Sequence, residues 1–314
     1  RLALALGRFE EAADSHGRLA GFYLSPRQKA TQLASAALIL FENLFDDEGA
    51  ENICREALRR APDSPEANEV LVRVLRSRGD EDGLARLVEE RIDAERDDGE
   101  LVDLYQERAD QLLAADDLDG AVQAIDKLLE LAPDRLEALV TKIGLLVELE
   151  RWQDAVEEMR DYMERAENRN DVRTMAWRAA DMLADQLGDP DAAADQLLEL
   201  VTAGDRHRET ERRLVDLCRR ADRPEDLADA HTRLAGLIDD KAERALVRCE
   251  EARIRLEDLF DPDMSSEVIS DVLQYAPFEL RALKLYQQLS ETGASGEVFD
   301  RALSAARQAL AESP

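Results

Sequence analysis

Histidine and cysteine, the side chains suited to nucleophilic and acid–base chemistry near neutral pH, are few in this chain, and their spacing joins none of them into a centre. The histidines, His16, His207 and His231, and the cysteines, Cys54, Cys218 and Cys249, lie far apart and form no CxxC pair, no HExxH and no other metal-ligand spacing. No GxGxxG or GxxxxGK loop follows a strand, because no segment reads convincingly as a strand. No enzyme and no cofactor is therefore expected. The chemistry that remains is ionic recognition. Residues 202–223, which include GDRHRETERRLVDLCRRADR, hold seven arginines against five acidic residues in an otherwise acidic chain. Planar guanidinium groups suit carboxylates and phosphates.

The elements that carry these groups must be helical. The chain has 314 residues, with 45% hydrophobic, 36% charged and only 4% aromatic, a balance that favours helix and leaves enough apolar material for a core. Lys and Arg number 41 against 71 Asp and Glu, and the net charge of −30 argues against nucleic acid as a partner. Much of the excess gathers at helix starts such as GDED (79–82), ADDLD (115–119) and RPED (223–226), where acids complement the helix dipole. The longest apolar run, ASAALILF at 34–41, is too short to span a bilayer, so no membrane insertion is expected. Unpaired cysteines and the lack of a signal-like start point to a cytoplasmic setting, and Arg1 as first residue suggests a piece of a longer chain.

LFDDEGAENICREALRRAPDS, residues 44–64, returns without a gap as LFDPDMSSEVISDVLQYAPFE, residues 259–279. The shared pattern is a helix, a tight acidic turn, a small residue and a second helix, and it occurs nine times, the last as ASGEVFDRALSAA at 294–306. Units begin at 31, 65, 102, 136, 174, 208, 246 and 280, in alternating steps of 34 and 37 or 38 residues. Short-step units generally close with Ala-Pro (61–62, 132–133, 276–277), which stops the second helix at once. The others lack that stop, so their second helices are predicted to run about one turn longer. The true period is thus a double unit of 71–72 residues, three of which make the 215 between the two opening segments.

These residues carry a resemblance to the tetratricopeptide repeat, a helix–turn–helix unit of about 34 residues with small residues at positions 8, 20 and 27, a bulky one at 24 and Pro at 32. The unit at Thr31 has Ala50, Cys54, Ala57 and Pro62 in the last four places, and the unit at Val102 has Ala121, Ile125, Leu128 and Pro133. Position 8 departs from the pattern, with Leu38, Val72, Ile143 and Asp181. The resemblance implies an all-α fold, a right-handed α-solenoid of stacked helix pairs, with residues 1–314 as one array of about nine pairs, the first truncated. It implies that His16, His231, Cys54, Cys218 and Cys249 are interior packing residues and that Trp152 and Trp177 are core wedges.

The resemblance also implies a function, that of a scaffold docking a peptide segment or partner protein in a groove built from the first helices, with positions 2, 5, 9 and 12 facing inward. Those places hold Glu66, Glu69, Asp103, Asp110 and Glu137 in the N-terminal half, with Glu107 beside them. They would attract a basic segment. In the C-terminal half Arg178 and Arg212 take position 5 of adjacent units and Arg219 takes position 12, an arrangement for a carboxylate or phosphate, with Asp216 between them as a neutralising neighbour. The chaperone-binding clamp of this family needs Lys at position 5 and Asn at position 9; no unit has that Asn, so the clamp is not expected. The rival reading is a regulatory or spacer solenoid of a larger enzyme whose catalytic domain lies outside the chain. End-to-end self-association is a further expectation, because array tips expose apolar surface.

Overall fold

Residues 2–291 are described by the computed structural model of the chain. The chain divides at 145/146 into two compact units. The first contains α1 (Leu2–Ala5), α2 (Phe9–Phe22), α3 (Pro26–Ile39) with a π-helical turn Leu40–Leu44, α4 (Asp47–Arg60), α5 (Pro65–Arg78), α6 (Glu81–Ala94), α7 (Asp98–Ala114) and α8 (Leu118–Leu131). The boundary falls within α9 (Leu136–Glu148). The second unit contains α10 (Trp152–Arg165), α11 (Arg169–Asp185), α12 (Pro190–Thr202), α13 (Arg208–Arg220), α14 (Pro224–Gly236), α15 (Lys241–Glu257), α16 (Pro262–Tyr275) and α17 (Leu280–Glu291). No strand occurs among the described residues. Within each unit a helix packs on its neighbours in sequence, and the first helices of successive pairs also meet, α3 with α5 and α15 with α17. This is an all-α architecture of stacked helix pairs. The ninth copy, at 294–306, lies outside the described residues.

We call the odd-numbered helices from α3 onward A helices and the even-numbered ones B helices. Every A-to-B turn is made by one left-handed residue followed by the N-cap of helix B. The left-handed residues are Gly79 and Gly188, but also Phe45, Asp116, Glu150, Asp222 and Phe260, with φ between 54 and 66. Asp46, Asp80, Asp117, Asp189 and Asp261 then accept a hydrogen bond from the amide three residues on, at 2.9–3.0 Å. This is the physical content of the acidic turn, since an aspartate oxygen satisfies an amide that the first turn leaves without a partner. Arg151 and Arg223 stand in the same place without a capping oxygen and reach forward instead to Asp154 (2.7 Å) and Asp226 (2.8 Å). Pro190, Pro224 and Pro262 each open a B helix, where the missing N–H costs nothing.

The expected lengthening of the second helices is not found. In the long-step units α6, α10 and α14 have 14, 14 and 13 residues, against 14, 14, 13 and 14 in α4, α8, α12 and α16. The additional turn sits at the start of the following A helix. α7, α11 and α15 have 17 residues each, whereas α5, α9 and α13 have 14, 13 and 13. Each additional turn begins at its own cap. Asp97, Asn168 and Asp240 accept from amides of the next turn and start these helices soon after the B helix ends. The Ala-Pro units lack those residues: their turn, 61–64 between α4 and α5, is about as long as 95–97 between α6 and α7, and α5 starts directly after the cap Ser64.

The missing small residue at position 8 also has a structural cause. α3, which its π turn lengthens, and the long α7, α11 and α15 bury Ala37, Ala109, Ala180 and Ala252, and the short A helices bury Leu71, Ile143 and Leu214 at the matching level, all at most 1% exposed. Small and bulky residues thus alternate with the double unit. Three long helices also close one residue wider: Asp46, Asp189 and Asp261 donate their amides to carbonyls six residues back, at Leu40, Leu183 and Arg255. Asp80, Asp117, Arg151 and Arg223 donate five residues back. The buried residues Ala37, Leu71 and Ala180 stand one place before the positions of Leu38, Val72 and Asp181.

Candidate interaction surfaces

The A helices of the first unit leave a groove of ≈560 Å³ between α5 and α7, and Glu69 and Asp103 line it together with Glu100, Glu107, Arg73 and Arg76. The other expected acids are not part of this lining. Glu66 caps back toward Ser64, whose Oγ donates to it at 3.1 Å, Asp110 accepts from Gln106 at 3.0 Å, and Glu137 is exposed on α9. Asp103 lies 4.0 Å from Arg135 and remains 82% exposed at its side chain. Several groove cations are already engaged, Arg91 with Glu107 at 2.9 Å and Arg73 with Glu42. At the mouth, amide donors of Asp97 and Arg96 hold the Glu95 carboxyl below the usual carboxylate range. A hydrogen bond shared with Glu95 pushes Glu100 up.

In the second unit the arginine-rich window is largely spent on neighbouring helices. Arg213 grips Asp181 at 2.6 and 2.7 Å, Arg220 meets Asp185 at 2.9 Å, and Arg223 draws Asp191 (3.0 Å) and Asp195 toward it. Arg208 and Arg212 share Glu243, the latter at 3.3 Å. Of the three arginines singled out from the sequence, Arg178 and Arg219 are exposed and make no ion pair or hydrogen bond among the described residues. Asp216 does not lie on them, for its partner is Arg220 at 4.0 Å. Besides local partners such as Asp226 for Arg223, the acids that engage the window from other helices lie 28–35 residues away in sequence, one repeat step before or after it. That spacing is readable once the repeat is known.

Buried ion pairs went unread in the sequence. Glu211 has a side chain only 1% exposed and takes both carboxylate contacts from Arg233, at 3.0 and 3.1 Å. Burial pushes the Glu211 carboxyl up, against the pull of the guanidinium. Glu251, equally buried, is held by Arg248 and by Arg255 at 3.0 Å. Asp205 accepts from Arg173 at 2.8 Å and from Thr210 at 2.7 Å, and Thr210 in turn accepts from Trp177 Nε1 at 3.1 Å. Trp177 is wedged between Arg213 and His207. Glutamate on a core face is a poor sequence signal, because nothing local announces the cation that comes from another helix.

His231 and the three cysteines are buried among packing groups. His231 is buried, with its Nδ1 2.7 Å from the Leu227 carbonyl, and burial lowers its pKa. His16 is half-buried, 2.9 Å from Gln32 Oε1. Burial pushes the thiols of Cys54 and Cys249 up to about 12 and that of Cys218 to about 11. Thiolate chemistry is disfavoured there. Among the described residues no three His, Cys, Asp or Glu side chains converge to hold a metal ion. No described helix is long and apolar enough to cross a membrane.

Grooves also open between successive B helices, ≈610 Å³ between α4 and α6 and ≈600 Å³ between α6 and α8 in the first unit, and ≈610 Å³ between α10 and α12 in the second. Between α15 and α17, Arg253, Arg281 and Lys284 line a further ≈420 Å³.

No protein-family profile and no curated protein sequence matches the chain. Solved structures do resemble it. A tetratricopeptide repeat protein from Parabacteroides merdae is 14% identical over 83% of this chain and 98% of its own, with a TM-score of 0.34. YrrB, described as a tetratricopeptide protein with an unusual peptide-binding site, is 16% identical over 59% of this chain and 91% of its own, at 0.32. A Naa15/Naa10 complex bound to HypK-THB aligns with 99% of this chain and 50% of its own at 14% identity and 0.45.

Proposed function

We propose that the chain is a non-catalytic, cytoplasmic scaffold of tetratricopeptide type that docks a peptide segment or partner protein against its A helices. The observation that carries this reading is the groove between α5 and α7. Helix pairs that stack by their neighbours leave such grooves open, and here Glu69 and Asp103, placed one unit apart, face the same space. The lining has six acids, Asp63, Glu69, Glu95, Glu100, Asp103 and Glu107, against Arg73, Arg76 and Arg91, so the occupant is a basic or amphipathic segment. Nucleic acid is repelled by the overall charge of −30.

Arg178 and Arg219, unspent on other helices, supply a second anchoring region for a carboxylate or phosphate, with Arg212 shared between Glu243 and that role. A peptide library displayed on phage and selected on the purified chain, followed by calorimetric titration of the recovered peptides, tests both regions. Basic peptides whose affinity falls at least about tenfold with Glu69→Gln and Asp103→Asn support the groove. Loss only with Arg178→Glu and Arg212→Glu moves the docking surface to the second unit. Recovery of no sequence-convergent peptides counts against the scaffold reading.

A further inference from the structure

Gln196 is polar at a place that most other units fill with apolar side chains. Counted from the start of each unit it matches Ile53, Leu87, Ala124, Ala230 and Val268, and it is only 6% exposed. Glu158, the further polar residue at that place, is half-buried. A buried amide costs free energy unless both of its ends are hydrogen-bonded. Gln196 Oε1 accepts from Arg160 Nε at 2.9 Å, which ties α12 to α10. Its Nε2 donates to nothing among the described residues. That nitrogen is not enclosed by protein, and Gln196 lines the ≈610 Å³ groove between α10 and α12, so its N–H groups are presented to the groove. Holding Arg160 requires the oxygen alone and leaves the nitrogen without a task inside the fold.

The walls and floor define the rest of an occupant. Met163 from α10, Val172 and Ala176 from α11 and Leu200 from α12 make an apolar floor. Glu164 on α10 and Glu199 on α12 stand exposed, one on each wall, and neither makes an ion pair among the described residues. Asp195, also in the lining, is held by Arg223 at 2.5 Å. Two unengaged carboxylates therefore stand against one guanidinium, that of Arg160, whose Nε is turned to Gln196. The free N–H groups suit a carbonyl, the floor an apolar side chain and the walls a cation. An extended peptide segment carries all three, because its backbone carbonyls are open, whereas a helix engages its own.

We propose that the α10/α12 groove is a second docking site, for an extended peptide segment in which lysine or arginine adjoins large apolar residues. A backbone carbonyl of the segment accepts from Gln196 Nε2, an apolar side chain lies on Met163 and Leu200, and the cation reaches Glu199 or Glu164. This site lies between B helices and is built wholly from the second unit, unlike the α5/α7 groove.

Titration of the full chain with the capped probe Ac-Leu-Lys-Leu-Lys-Leu-NH2 tests the proposal, read by NMR at the Gln196 side-chain amide and the Met163 methyl group. Because both signals belong to this groove, binding elsewhere on the chain does not register. They are expected to shift together and to saturate by about 10 mM probe. Ac-Ser-Lys-Ser-Lys-Ser-NH2 keeps the charge and Ac-Leu-Glu-Leu-Glu-Leu-NH2 reverses it; each should bind at least about tenfold more weakly. Gln196→Glu keeps an acceptor for Arg160 and adds a charge that favours lysine, so a loss of at least about tenfold, read at Met163, belongs to the missing N–H donors. The thermal midpoint of that variant should be retained, which separates lost docking from lost folding. Glu199→Gln, at an exposed position, should weaken the probe about twofold. No saturable shift at Gln196, equal binding of the serine or glutamate probe, or unchanged affinity in Gln196→Glu overturns the proposal. Gln196 signals that move with protein concentration in the absence of probe assign the groove to a second copy of the chain and overturn it as well.

Discussion

A buried imidazole and a buried carboxylate each add to the chain's response to pH. His231 is neutral in the fold, its pKa depressed from 6.5 mainly by burial. The unfolded chain therefore binds the proton first as pH falls, and the stability that neutral His231 contributes above pH 6.5 is lost as pH drops through its lower folded value. Chemical denaturation of His231→Gln against the parent should show a smaller loss of stability between neutral and mildly acidic pH. Glu211 behaves with the opposite sign. Its folded pKa is raised from 4.5, so its contribution is fully present below that value and declines as pH rises through the folded one. Truncation is a different matter, because Glu211→Ala strands the half-buried Arg233. The expected cost is roughly 2–3 kcal/mol, toward the low end for a broken buried pair because Arg233 keeps access to water. Urea midpoints of the Glu211→Ala and Arg233→Met variants, alone and combined, check it; a combined loss as large as the sum would deny the coupling.

At the scale of the element, turn chemistry decides where helices begin. Asp117 closes the α7–α8 turn by accepting from the Gly120 amide at 2.9 Å, and Asp117→Ala should cost about 1 kcal/mol, read as a lower melting temperature. Gly79 occupies the left-handed position at φ 64 with no obstruction around it, so Gly79→Ala should cost about 1 kcal/mol from conformation alone. Asp97 starts the additional turn of α7, where it accepts from Gly99 and Glu100. Asp97→Ala should raise hydrogen exchange at the next few amides while leaving the rest of α7 protected. Uniformly faster exchange along the helix would place the cause elsewhere.

At the scale of the whole molecule, stability is built from neighbour contacts, so damage should stay near its origin. Leu128 is fully buried in the first unit, and Leu128→Ala should cost roughly 2–4 kcal/mol. Hydrogen exchange by mass spectrometry should show the loss concentrated in residues 1–145, with α12 to α16 protected as before. Equal deprotection of both units would mean that the chain unfolds as one cooperative body.

Repetition made the helix pairs legible in the amino-acid sequence, because each pair repeats the same apolar spacing and the same acidic turn. Asp46, Asp80, Asp117, Asp189 and Asp261 could be found from that turn, and the core places of Cys54, Ala57 and Ile125 from the spacing. The alternating step length is readable in the sequence, but the additional turn lies at the start of α7, α11 and α15 and not in the B helices, where the missing Ala-Pro stop predicts it. A step length counts residues without saying whether they extend a B helix or, as at the capping Asp97, open the next A helix. Tertiary structure alone decided which charges remain free. Arg213 and Arg223 look as available in sequence as Arg178 and Arg219, yet acids on the preceding helices claim the first two and leave the second pair exposed. A charge is spent or free according to what the stacked neighbour presents at about 3 Å, and that distance is a property of packing, which no local pattern carries.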